Sequence, residues 1–187
     1  IAASHDAILA INGDFYGFWY AGYVRRNGTL YRATARETED AEALVIDDEG
    51  DFSIISENET SLSSLDTSSI AQIISFGPAL IEDGEISVDA SSEVSQSMTS
   101  NPRTAIGQIS PLHYIIIVSD GRTDESEGFS LLQLAEEMQN RGAVTAYNLD
   151  GGGSSTLYFN GEIINNPTSG NSTGEREVSD IVYIGYE

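Results

Sequence analysis

Residues 147–156 read Tyr147-Asn148-Leu149-Asp150-Gly151-Gly152-Gly153-Ser154-Ser155-Thr156. An apolar run ends in one carboxylate, then three glycines, then three hydroxyl residues. Val144, Ala146 and Leu149 fit a buried strand that begins after Gly142, with Asp150 at its end. Three glycines in succession lack β-carbons, so the backbone can turn sharply and approach a ligand closely. Free N–H groups in such a turn can face an anion, and Ser154, Ser155 and Thr156 add hydroxyl donors. The stretch is therefore either an anion cradle beside an acid or base, or a plain glycine-rich connection between two strands. It is no nucleotide P-loop, which needs Gly-Lys-Ser/Thr opening a helix. The next residues, Thr156-Leu157-Tyr158-Phe159, have a strand pattern instead.

Two other apolar runs end in the same way. Ala7-Ile8-Leu9-Ala10-Ile11 leads into Asn12-Gly13-Asp14, and Tyr114-Ile115-Ile116-Ile117-Val118 leads into Ser119-Asp120-Gly121-Arg122. Arg103, behind Asn101-Pro102, opens a further strand. If these strand ends gather on one rim, Asp14, Asp120 and Asp150 supply acid and base, and Arg103 and Arg122 supply a fork for phosphate. Glycosidic hydrolysis commonly uses two carboxyl groups, about 5–5.5 Å apart for retention or about 6.5–9.5 Å for inversion. The alternative for each aspartate is a turn cap bonded to its own backbone. Glu175 and Arg176 either pair with each other or reach the rim.

The remainder of the chain is rich in hairpin signals. Asn27-Gly28, Asp83-Gly84 and Asn160-Gly161 each sit between alternating runs. Asp47-Asp48-Glu49-Gly50 is dense in carboxylates but lacks the spacing of a calcium loop. Phe15, Tyr16, Phe18, Trp19 and Tyr20 form an aromatic cluster that is either core or a sugar-stacking platform. Ser87–Ser100 reads as a long loop, a length that often carries function. One helix is evident over Ser130–Arg141, with Leu131, Leu134, Ala135 and Met138 at helical spacing, a Ser130/Gln133 capping box and Gly142 as its stop. These elements predict a single α+β domain, its mixed or antiparallel sheet rich in hairpins and its helices few.

Composition narrows the partners. The 187 residues suit one domain, and 40% hydrophobic content suffices for a core. A net charge of −22 argues against nucleic acid and against contact with anionic membrane. Lysine and cysteine are absent, so any phosphate must meet some of eight arginines. No apolar run approaches the roughly 18 residues of a membrane span. The chain opens at Ile1 and is expected to be an excised or processed domain. No cofactor is required; a bound divalent cation such as calcium is conceivable from the carboxylates, but no spacing supports one.

Asn12-Gly13-Asp14-Phe15-Tyr16, Phe76-Gly77-Pro78-Ala79-Leu80, Asn101-Pro102-Arg103-Thr104-Ala105-Ile106-Gly107, Asp120-Gly121-Arg122 and Asn148-Leu149-Asp150-Gly151-Gly152-Gly153-Ser154-Ser155 occur in this order. Together they resemble the phosphodiester glycosidase family, which includes the animal "uncovering enzyme" and bacterial proteins labelled for exopolysaccharide biosynthesis. The resemblance covers Ala7 to Tyr186. It implies one such domain over residues 1–187, further strands upstream, and a secreted or bacterial-envelope location. It also implies hydrolysis of an α-linked (amino-)sugar 1-phosphodiester.

On that basis Asp150, Asp120 and Asp14 are candidate catalytic groups. Asn12, Arg103, Arg122, Gly151, Gly152, Gly153, Ser154 and Ser155 are candidate substrate-binding residues, and no metal ligand is assigned. A phosphodiesterase attacking phosphorus and a non-catalytic glycan-binding module remain the alternatives.

Overall fold

The structure is a computed structural model and describes residues 1–92, 100–169 and 172–186. Residues 93–99 of the expected functional loop, and 170–171 of the later polar loop, therefore lie outside the described residues.

In chain order, β1 (Ala7–Asn12) is followed by a hairpin of β2 (Val24–Arg26) and β3 (Thr29–Arg32), and a second of β4 (Glu42–Asp47) and β5 (Phe52–Ser56). After β6 (Ile70–Ile74) come the hairpins β7 (Ala79–Glu82) with β8 (Glu85–Ile86), and β9 (Arg103–Ser110) with β10 (His113–Ser119). The helix α1 (Leu131–Asn140) precedes β11 (Thr145–Asn148). The strands β12 (Leu157–Phe159), β13 (Glu162–Ile163), β14 (Thr168–Ser169), β15 (Ser172–Thr173) and β16 (Ile181–Gly185) complete the order.

The turns form where the residues demand them. Asn27 and Gly28 sit at φ 49° and 76°, and Asn160 and Gly161 at 48° and 98°, the left-handed pair that a two-residue hairpin needs. Ser130 caps α1: its hydroxyl accepts the Gln133 N–H at 3.1 Å while the Gln133 side chain accepts the Ser130 N–H at 2.9 Å. Gly142, at φ 86°, turns the chain off the helix.

Among the described residues three larger sheets, β3-β2-β6-β4-β5, β10-β9-β11-β7-β8 and β13-β12-β1-β16, surround the core, and β14 pairs with β15 in a fourth of two strands. Alternation along the strands divides the core into layers. Leu44, Ile74, Ala79, Ile106 and Tyr147 turn inward to a central cluster shared with Ile11, Leu149, Leu157 and Val182. Ala43, Val45 and Ile73 turn outward to a cluster under Leu62 and Leu65. Ala105, Ala146 and Leu80 turn outward on the second sheet, where Leu131, Leu134, Ala135 and Met138 of α1 cover them with no exposed surface of their own.

The expected α+β class is corrected to mostly β. Among the described residues every strand pairing is antiparallel, and a ten-residue helix covers part of one sheet. Hairpins need no crossover helix, and a parallel pair does. The aromatic cluster is split. Trp19 stacks on Phe76 at 5.5 Å, whereas Phe18 and Tyr20 face solvent. No described helix is long and apolar enough to cross a membrane.

Candidate active site

Antiparallel pairing brings the five motifs to one end of the sheets. Arg103, at the start of β9, lies opposite Ser119, at the end of β10. Asn148, at the end of β11, lies opposite Ala105, and Tyr147 opposite Ala79 of β7. The Asn148 side chain donates to the Gly77 carbonyl at 2.8 Å, and the Gly77 N–H to the Asn148 carbonyl at 3.2 Å. The end of β1 joins them: the Asp150 N–H donates to Gly13 O at 3.2 Å, and Asn12 Nδ2 to Asp150 O at 2.5 Å. Buried Asn12 also accepts from the Thr104 hydroxyl at 2.7 Å and the Thr156 N–H at 3.3 Å. Asn12 is thus a brace that fixes the backbone on both sides of the glycine turn.

The three glycines have three separate causes. A β-carbon on Gly151 would stand 2.9 Å from the Pro102 carbonyl, and one on Gly153 2.9 Å from the Ser169 hydroxyl. Gly152 has φ +59° and carries the Arg122 guanidinium against it, 3.0 Å from where a β-carbon would lie. The turn's N–H groups are mostly bonded within the protein. Gly151 donates to Asp150 Oδ1, Gly152 to Pro102, Ser154 to Gly151 and Ser155 to Gly152. Among the described residues Gly153 alone of these five keeps an N–H with no protein acceptor. The loop is therefore a close-packed support for Asp150, and most of its capacity for an anion lies in neighbouring side chains.

Asp150 is largely buried, its side chain 13% exposed. Its Oδ1 accepts the Gly151 N–H at 2.8 Å, and its Oδ2 accepts the Ser154 hydroxyl at 2.5 Å. Arg176 Nη2 lies 2.5 Å from Ser154 Oγ and 3.4 Å from Asp150 Oδ2. Burial pushes the Asp150 carboxyl above its ordinary value, while the Ser154 hydroxyl and the Arg176 charge pull it back. A carboxyl held between these opposing influences is suited to exchanging a proton.

The arginines divide by their commitments. Arg25, Arg32 and Arg36 bond main-chain carbonyls, Arg36 pairing also with buried Glu57, and Arg26 holds Asp14 and Asp180. Arg141 pairs with Glu137 on the helix. Arg103 is only 2% exposed, its Nε donating to the Phe129 carbonyl at 3.0 Å, and it lies behind Gly151. Arg122 is exposed, bonded to Asn101 Oδ1 at 2.8 and 3.0 Å. Arg122 over Gly152 and Arg176 over Ser154 thus flank the turn from two sides. Sequence leaves Arg176 undecided, because it lies on an irregular segment with no periodicity to orient it.

Asp120 and Asp14 hold their neighbours in place. Asp120 accepts from Asn165 Nδ2 at 3.0 Å and the Asn166 N–H at 2.8 Å. Asn165 in turn donates to Ser155 O, so Asp120 stands one residue away from the turn. Asp14 has no exposed side-chain surface. Its carboxylate accepts Arg26 Nη2 and the Tyr16 N–H, both at 2.8 Å. Asp180 shares that guanidinium at 2.7 Å and accepts the Asp14 N–H at 3.1 Å. Burial, and then the Asp14 charge, push Asp180 up to about 6. Sequence reasoning misses Arg26 and Asp180: 154 positions separate them, and nothing local marks the pair. No group of three or more His, Cys, Asp or Glu among the described residues is arranged to hold a metal ion.

The profile of the phosphodiester glycosidase family matches residues 5–185. The chain belongs to that family. Phosphodiester glycosidase relatives and neighbours agree with the assignment to different depths. The chain is 31% identical to the SPbeta prophage-derived uncharacterized protein YomE of Bacillus subtilis, over all of this chain and 29% of that protein. It is 29% identical to human N-acetylglucosamine-1-phosphodiester alpha-N-acetylglucosaminidase over 78% of this chain and 26% of that protein. The chain thus spans less than a third of the length of these relatives. The zebrafish N-acetylglucosamine-1-phosphodiester alpha-N-acetylglucosaminidase catalytic domain, auto-inhibited by its pro-peptide, superposes with a TM-score of 0.77. That match covers all of this chain and 66% of the zebrafish chain at 23% identity, a likeness of fold.

Proposed function

We propose that this domain hydrolyses the bond between the anomeric carbon and the phosphate oxygen of an α-linked N-acetylamino-sugar 1-phosphodiester. The products are the free sugar and a phosphomonoester. Family membership supports a hydrolase of this type, and one observation carries the assignment of the site: Asp150, buried and raised, lies in a turn flanked by the exposed guanidinium groups of Arg122 and Arg176. In so acidic a chain, two cations beside a proton-exchanging carboxyl suit an anionic substrate. Arg122, Arg176 and the Gly153 N–H hold the phosphate, and Asp150 exchanges the proton. Asn12, Asp120, Arg103 and the Asp14–Arg26–Asp180 cluster keep these groups in place. The substrate is a bacterial envelope or extracellular glycan, and the domain works in that compartment.

The test is incubation with an N-acetylglucosamine α-1-phosphodiester in isotope-labelled water. Free N-acetylglucosamine carrying the label at its anomeric oxygen is the expected result. Label in the phosphate means attack at phosphorus and replaces the glycosidase reading with a phosphodiesterase. Saturable binding without product from folded protein replaces it with a glycan-binding module.

A further inference from the structure

Arg176 is placed to do more than bind. Its Nη2 bridges the Ser154 hydroxyl and the Asp150 carboxylate, and among the described residues its Nε and Nη1 have no protein acceptor. The side chain is 42% exposed and lines a cleft of about 750 Å³ that also takes in Asn12, Thr156 and Tyr158. It therefore touches the carboxyl with one nitrogen while offering the others to solvent. The contact with Asp150 is long, at 3.4 Å, and residues 175–178 belong to no strand or helix, lying between ends pinned at Gly174, whose N–H donates to Pro167, and at Ser179 and Asp180. The guanidinium is held closely by a neutral hydroxyl and only at long range by the carboxylate, and its solvent-facing nitrogens can be claimed by a stronger, charged acceptor such as phosphate.

We propose that Arg176 is a phosphate-operated latch on Asp150: in the free protein it holds the carboxylate through Ser154, and it leaves for the substrate's phosphate when substrate binds. The proposal rests on the glycosidase reading for its catalytic meaning, but not for its existence.

Removal of the Arg176 charge leaves Asp150 with the desolvation that opposes ionisation and only the Ser154 hydroxyl and Gly151 N–H to offset it. The carboxyl then keeps its proton up to a higher pH than in the free protein. When the anomeric C–O bond breaks, its electron pair stays on the departing phosphate oxygen, which receives the Asp150 proton. A water molecule gives its hydroxyl to the anomeric carbon and its other proton to solvent. The phosphate that is to leave thus calls up the proton it needs.

Other charges near Asp150 are either paired or set back. Arg122 lies across Gly152 and is bonded to Asn101; Arg103 lies behind Gly151, bonded to the Phe129 carbonyl. Asp120 is tied to Asn165 and Asn166, and Asp14 to Arg26. Glu175 and Glu177 beside Arg176 are exposed. Arg176 is the cation in direct contact.

The test is a carbon-13 NMR titration of the aspartate carboxyls, with Asp150 assigned by its loss in Asp150→Asn. Wild type and Arg176→Met are compared with and without inorganic phosphate. Without phosphate, the Asp150 midpoint of Arg176→Met lies above that of wild type. Phosphate raises the wild-type midpoint toward the variant's value and leaves the variant's in place. Equal shifts in both proteins mean simple charge repulsion and overturn the latch, as does no shift in wild type at saturating phosphate. Because the readout needs no turnover, the two ideas separate. A coupled titration without sugar release retains the latch and removes the glycosidase, and sugar release without coupling does the reverse.

Discussion

Asp150→Asn lowers kcat/KM on an N-acetylglucosamine 1-phosphodiester by about a thousand-fold, within the range for losing a positioned acid or base, and leaves the thermal midpoint near that of wild type. Asparagine keeps one oxygen to accept the Gly151 N–H in place of Oδ1, and its amide nitrogen, in place of Oδ2, donates to the Ser154 hydroxyl once that hydroxyl turns its own proton away. It also removes a charge that burial disfavours, so the folded state loses little. Activity and stability therefore separate in this variant. Parallel melting curves and progress curves decide between roles. A midpoint that falls along with activity makes Asp150 a cap of the glycine turn, and a kcat/KM within tenfold of wild type takes it out of the chemistry.

Arg26→Met has the largest expected effect on stability. The guanidinium stands between Asp14, which has no exposed side-chain surface, and Asp180, which is 17% exposed. Taking it away leaves two buried carboxylates facing each other, and loss of one partner of a buried pair costs about 3–5 kcal/mol. For a domain of this length that lowers the midpoint by on the order of 10 °C. The loss depends on pH. Asp180 in the wild type is raised from 3.8 to about 6, so the folded protein holds that proton more tightly than the unfolded chain. Its contribution is most favourable below pH 3.8, falls as pH rises toward 6, and stays reduced above that. In Arg26→Met the same dependence extends to higher pH, because no cation pulls the Asp180 carboxyl back down. Thermal melts at pH 5 and pH 8 check this: the variant recovers part of its midpoint at the lower pH. An equal deficit at both values means that packing of the guanidinium against Tyr16 outweighs its charge.

How much is legible in the sequence depends on the range of the forces involved. The hairpins at Asn27-Gly28 and Asn160-Gly161, and the capped helix, are set by neighbours in the chain, and each forms where expected. The position of Asp150 just past a strand end is legible because an apolar strand delivers it. The glycine turn is legible as a turn but not as packing, since the Pro102 carbonyl and Ser169 hydroxyl that exclude β-carbons belong to other elements. The same distance hides the partner of Asp14. An aspartate before an aromatic run gives no sign that its counter-ion is on the next hairpin and that a second aspartate shares it from the far end of the chain. The division of the arginines is equally invisible: Arg103 and Arg122 look alike beside their strands, yet one is buried and the other exposed.

That division has a kinetic consequence. With most of the guanidinium groups turned to internal acceptors, the molecule meets solvent as a polyanion of net charge −22. A phosphodiester approaching from bulk is repelled over most of the surface and attracted only within the short range of Arg122 and Arg176. Added salt shortens the repulsion first: at physiological ionic strength the screening length is about 8 Å, comparable with the reach of a single side chain. The encounter rate with an anionic substrate therefore rises as salt is added from a dilute buffer. It falls only when the salt is concentrated enough to screen the two arginines themselves, the inverse of the behaviour of an enzyme that steers its substrate with a basic face.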